Sequence, residues 1–138
     1  MKEKIELMIS LPKIPDIELV ALEGMDRMAN HLGITDGKIG EARILITEAV
    51  INAFEHSGAN KPNVLVEYEM TREKLIIYIR DYGKGFNPDD VEEPDIKEKM
   101  GSTNKRGWGL KLIKTMSDDL TIESDDTGTK ITIVKNLV

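Results

Sequence analysis

Residues 74–86 read KLIIYIRDYGKGF, from Lys74 to Phe86. Leu75–Ile79 is a nearly unbroken apolar run, as in a central strand. It leads through Arg80 into Asp81-x-Gly83-x-Gly85-Phe86. Glycines placed directly after a strand let the backbone approach a flat ligand closely. A carboxylate at Asp81 accepts hydrogen bonds and can take an exocyclic amine such as that of adenine. A tight turn accounts for the same residues equally well. No helix follows at once, so this is not the dinucleotide-binding fingerprint of a βαβ unit.

Upstream, Asn63–Met70 alternates apolar and polar residues and reads as a partner strand, joined to the central one by a polar turn at Thr71–Glu73. Before the loop Ser57–Pro62, the sequence predicts a helix from Thr35 or Asp36 to about His56, apolar on most sides and therefore buried on most sides. Glu48, Asn52 and His56 stack at i, i+4 and i+8 as one polar stripe on that helix. The stripe is either an edge that meets solvent or the lining of a cleft. In a cleft, the Asn52 oxygen suits a hard cation such as Mg²⁺. A Glu one turn earlier can polarise a hydroxyl or a water. Further back, Asp16 is expected to cap a helix running to about Leu32, with Ile17, Val20, Ala21, Met25, Met28 and Leu32 inward and Gly33 as its stop. A strand at Lys4–Ser10, closed by Pro12 and Pro15, precedes it.

Downstream, residues 87–105 are polar, carry Pro88 and Pro94, and read as a long loop of the kind that is usually functional. Lys105-Arg106-Gly107-Trp108-Gly109-Leu110 then opens a helix over Trp108–Met116. Two glycines let backbone N–H groups converge, and a helix N-terminus attracts anions. The same residues also serve as a plain helix start. No P-loop signature is present. Leu120–Ser124 and Thr129–Lys135 flank the turn Asp125–Gly128 as a hairpin. The order β–α–α–β–β–loop–α–β–β predicts an α+β fold: a mixed, mostly antiparallel sheet with helices on one face.

Composition removes other classes. A chain of 138 residues is the size of one domain. It has no cysteine, which excludes disulfides, thiolate metal sites and a cysteine nucleophile. Two histidines make a zinc site unpromising. A net charge of −6 argues against general nucleic-acid binding. Apolar runs fall far short of the ~20 residues of a membrane span, and the N-terminal stretch has no signal-peptide core. A cytoplasmic protein with no membrane partner is the expectation.

The order and spacing of these signals say more than any one of them. Glu48-x3-Asn52, Asp81-x-Gly83-x-Gly85, the long loop, Gly107-x-Gly109 and Gly128-Thr129 together resemble the GHKL ATPase superfamily, as its N box, first glycine box, lid and second glycine box. The resemblance covers about Glu41–Val134 and, with the preceding strand and helix, nearly the whole chain. EAVINAFEH (48–56), IRDYGKGF (79–86) and RGWGLKLIKTMSDDL (106–120) look most like the small stand-alone anti-sigma-factor serine kinases of bacteria. Trp108 departs from the pattern, which commonly has a small or aliphatic residue there.

The resemblance implies a two-layer α/β sandwich of the histidine-kinase ATPase type in one domain, residues 1–138, with a lid at about 87–106. It implies ATP and Mg²⁺ as cofactors. Asn52 would be the metal ligand and Glu48 the catalytic base. Asp81 would read adenine, Gly83 and Gly85 would shape its pocket, and Thr129 would lie by the adenine side. Gly107, Gly109 and Leu110 would meet the phosphates, and Lys105 and Arg106 join that set with their positive charge. The implied activity is an ATP-dependent serine/threonine protein kinase that phosphorylates an anti-sigma-factor antagonist protein and sequesters a sigma factor; a homodimer is allowed. The alternatives are a nucleotide-binding switch without phosphotransfer and a stand-alone histidine kinase catalytic domain. The last fits least well, because neither His31 nor His56 sits in a phosphoacceptor setting.

Overall fold

The computed structural model describes residues 3–34, 37–58, 60–84 and 106–138, with the side chains of 106–108 outside that description. These residues form β1 (Ile5–Leu11), α1 (Glu18–Leu32), α2 (Gly37–His56), β2 (Val64–Met70), β3 (Lys74–Asp81), α3 (Arg106–Met116), β4 (Asp119–Asp125) and β5 (Gly128–Asn136). The sheet order is β1-β2-β3-β5-β4. All four pairings are antiparallel, so the parallel pairs that a mixed sheet would contain are not found among the described residues. The expected lid falls almost wholly outside the described residues.

Strand parity builds the core. Val64, Val66, Tyr68 and Met70 of β2 turn inward, as do Leu75, Ile77 and Ile79 of β3 and Ile131 and Ile133 of β5. All three helices lie on that inner face: α1 over β1 and β2, α2 over β2, β3 and β5, and α3 against α2 and β4. Each large side chain buried there contributes about 1.5–3 kcal/mol relative to exposure. β3 is central as expected, although Ile76 and Tyr78 are only half-buried on the outer face. Antiparallel sheets tolerate one wetter face.

The first helix departs from its sequence reading at the start. Its N-cap is Ile17, which has no side-chain cap bond. Asp16 adopts φ 63°, so it makes a left-handed turn rather than the extended backbone of a capping residue. Leu22 is buried, whereas Val20 points out. The other end follows the reading: Gly33 at φ 72° donates its N–H to Ala29 and Asn30 carbonyls. Tyr68 Oη donates to the Ala21 carbonyl at 2.8 Å and ties α1 to β2. α2 is less fully covered than its composition suggests, since Ile44 and Ile51 are exposed.

Lys135 braces the opposite end of the helical layer. It is buried on β5, with Nζ 2.5 Å from Glu41 Oε2 on α2 and 2.9 Å from the Met116 carbonyl that ends α3. A cation at a helix C-terminus is favoured by the helix dipole.

Candidate functional site

The polar end of the sandwich is built by strand parity at the sheet. Asp81 is two residues beyond Ile79 and therefore points inward toward the helices, where it is only 2% exposed. Across the ladder it faces Thr129, which is equally buried. Thr129 Oγ1 is 2.8 Å from Ser124 Oγ, which fixes its hydroxyl against β4. The Gly83 N–H donates to Asp81 Oδ1 at 3.0 Å. Burial raises the Asp81 pKa above the ordinary carboxylate value. Hydrogen bonds from the backbone amides of Gly83 and Thr129, and the nearby His56, pull it back only in part.

Three glycines let the backbones close around this carboxylate. A Cβ on Gly83 would overlap the carbonyl oxygen of His56 at the end of α2. One on Gly128, at φ 142°, would overlap the Asp81 carbonyl oxygen. One on Gly58 would lie 3.2 Å from the Tyr82 carbonyl oxygen. The end of β3, the exit of α2 and the β4–β5 turn are thereby fastened at one place, with backbone against backbone.

Helix α2 carries the site from there to α3. Its His56 carbonyl touches Gly83, and its Glu48 carboxylate lies against Gly109 in the first turn of α3, where a Cβ would sit 3.0 Å from Oε2. Asn52 is midway, about 6 Å along the axis from each at 1.5 Å per residue. Asn52 is 5% exposed and Glu48 half-buried. The stripe is therefore not a fully solvated edge: Asn52 is buried, and Glu48 and His56 are half-buried. Leu110 buries its side chain beside this turn.

The structure joins Asp81, Gly83 and Thr129 at the His56 end of α2, and sets Glu48 close to Gly109 two turns back along it, with buried Asn52 on the helix between them and Leu110 buried in α3. Arg106 and Gly107 lie in the first turn of α3, which begins at Arg106 rather than Trp108; their side chains are outside the described residues. Gly85 and Lys105 are outside them altogether. Sequence reasoning missed the tie from Ser124 to Thr129 and the packing role of Gly58. The tie was readable in principle, because Ser124 and Thr129 close the predicted hairpin as facing residues. Gly58 carried no signal beyond being in a loop. Among the described residues no cluster of histidine or carboxylate side chains forms a ready-made metal site.

A one-faced antiparallel sheet under three helices, with this polar end, is the architecture of an ATPase domain of the histidine-kinase type. The chain belongs to the histidine kinase-like ATPase domain family, whose model matches residues 16–135. It has distant, nearly full-length homology to serine-protein kinase RsbW. The Listeria monocytogenes serovar 1/2a protein is 26% identical over 141 residues, covering 98% of this chain and 88% of that one. The Staphylococcus aureus MRSA252 protein is 30% identical over 113 residues, covering 77% and 70%. Among solved structures, the SiaB–SiaC complex from Pseudomonas aeruginosa matches with a TM-score of 0.61 at 12% identity, covering 94% of this chain and 89% of that one. A histidine kinase domain from Erythrobacter litoralis EL346 matches with a TM-score of 0.50 at 18% identity, covering 87% and 61%. These two likenesses are of fold. No helix among the described residues is long and apolar enough to cross a membrane.

Proposed function

We propose that this chain is an ATP-dependent serine/threonine protein kinase that phosphorylates an anti-sigma-factor antagonist and holds a sigma factor. The observation that carries the reading is Glu48: a half-buried carboxylate one turn from buried Asn52, with Oε2 close to Gly109 in the first turn of α3. A module that only binds nucleotide has no need of a carboxylate there. The distant homology to RsbW, named as a serine-protein kinase, supports the same class. The SiaB–SiaC structure, a complex of a like-folded chain, supports a protein partner.

In this reading Asp81 accepts a hydrogen bond from the adenine amine, with Thr129 beside it and Gly83 and Gly85 letting the ring approach. The first turn of α3, with Lys105, Arg106, Gly107, Gly109 and Leu110, receives the phosphates. Asn52 would hold Mg²⁺, which when bound offsets phosphate charge. Phosphoryl transfer asks mainly for positioning and charge neutralisation, and Glu48 takes the proton from the acceptor hydroxyl. Residues 1–138 act as one catalytic domain, and a homodimer is compatible with it.

The test is incubation with γ-labelled ATP, Mg²⁺ and candidate antagonist proteins. Wild type is expected to label an antagonist, and Glu48→Gln to bind nucleotide and partner while losing about 10²–10⁴ of the rate. Asn52→Ala is expected to lose Mg²⁺-dependent binding as well. Wild type that holds a sigma factor but labels nothing establishes the switch module instead.

A further inference from the structure

Gly83 and Gly128 are glycines because a Cβ would meet main chain, which cannot move aside cheaply. Gly109 differs. Among the described residues, the atom facing its missing Cβ is Glu48 Oε2, at 3.0 Å from where that carbon would be. This is the end of a flexible side chain from a different helix. The α2 backbone fixes only where Glu48 begins; its rotatable bonds leave the carboxylate free to settle elsewhere. The surface it rests on therefore decides where the oxygen stands.

We infer that Gly109 is a positioning residue for Glu48: its bare Cα is the seat that sets where the carboxylate lies. This rests on the kinase reading above and adds to it a second duty for a residue otherwise assigned to phosphate. An ordinary contact begins about 0.4 Å further out than a Cβ here would allow. A methyl group at Gly109 therefore pushes the carboxylate back or into another rotamer. The side chain yields, so the fold survives, and alanine is a better helix former than glycine. The damage falls on the position of the base, which must give by a few tenths of an ångström, and rate is sensitive to such misplacement.

Glu48→Asp supplies the control. It keeps the carboxylate but draws it back by one methylene, away from α3. The experiment is a double-mutant cycle with two readouts on the full chain. In thermal unfolding without nucleotide, Gly109→Ala is expected to raise Tm in the Glu48→Asp background by about 2 °C more than in wild type, a difference within the usual reach of one contact. In phosphotransfer at saturating ATP, Gly109→Ala alone is expected to lower kcat about 10-fold with ATP affinity within about threefold. The same change in the Glu48→Asp background is expected to cost less than about threefold.

Equal Tm shifts in both backgrounds overturn the contact. Coupled Tm shifts with unchanged kcat in Gly109→Ala overturn the positioning role. A loss of ATP affinity equal in both backgrounds assigns Gly109 to phosphate alone and also overturns it. Wild type that transfers nothing overturns the kinase reading, and with it the positioning role, while the Tm cycle still decides the contact.

Discussion

At the scale of single residues, Asp81 combines two demands that conflict. In the proposed reading it accepts a hydrogen bond from adenine, yet burial keeps its pKa above the ordinary carboxylate value of about 3.9. A carboxylate with a raised folded pKa contributes most to stability below its unfolded pKa. That contribution is lost as pH rises through the raised folded value. In the nucleotide-free chain, Asp81→Asn is therefore expected to flatten stability over this window and to be at least as stable as wild type at neutral pH. It should weaken ATP binding by about 1–3 kcal/mol. Melting series across pH and calorimetry with ATP check both halves, and a variant less stable at neutral pH, or with unchanged affinity, counts against the assignment. Gly83→Ala is a different kind of change. Its Cβ meets the His56 carbonyl, and neither backbone can yield. A loss of about 1–3 kcal/mol or more is expected, read by denaturant unfolding. Asp81 at the end of a central strand was legible in the sequence, but its inward parity was not, because the run Leu75–Ile79 is apolar on both faces. Gly58 was not, because a loop residue's neighbours come from distant segments.

At the scale of elements, every helix and strand among the described residues was legible from period and breaker residues, and the error at the start of α1 sits where backbone conformation overrode side-chain type. Asp16 has the chemistry of a cap but lies at φ 63°, so Ile17 takes the place. The all-antiparallel pairing could not be read from local sequence, because the strand that follows α3 takes the edge while β5 returns beside β3. Lys135 belongs to this scale as well, since it joins α2, α3 and β5. Its inward parity with Ile131 and Ile133 announces a buried cation, which needs partners. Glu41, hydrogen-bonded to it, has its pKa lowered. A lowered carboxylate pKa adds stability above the unfolded value of about 4.3, and that is lost as pH falls through the folded value. Lys135→Met is expected to lower Tm at neutral pH and to shrink this acid-side step. An acid limb identical to wild type in a pH series of melts would remove the brace from the account.

At the scale of the whole molecule, three joints hold the candidate site: Asp81 to Thr129, the His56 carbonyl to Gly83, and Glu48 to Gly109. Each joins segments far apart in the chain, whereas the β2–β3 and β4–β5 hairpins close over a few residues. Contacts of long sequence separation carry the larger loop-closure cost and tend to form late. The fastening of β3 to β5 therefore has a kinetic meaning: the two hairpins can exist before the site does. Substitution at Gly83 is expected to raise the unfolding rate and to leave the refolding rate nearly untouched, with a φ-value near zero. Stopped-flow chevrons for Gly83→Ala test this, and a refolding limb slowed in step with the lost stability would place the joint in the nucleus. A chain built this way reaches its scaffold first and its chemistry last, so a ligand that grips all three joints acts chiefly as a brake on escape from the native state.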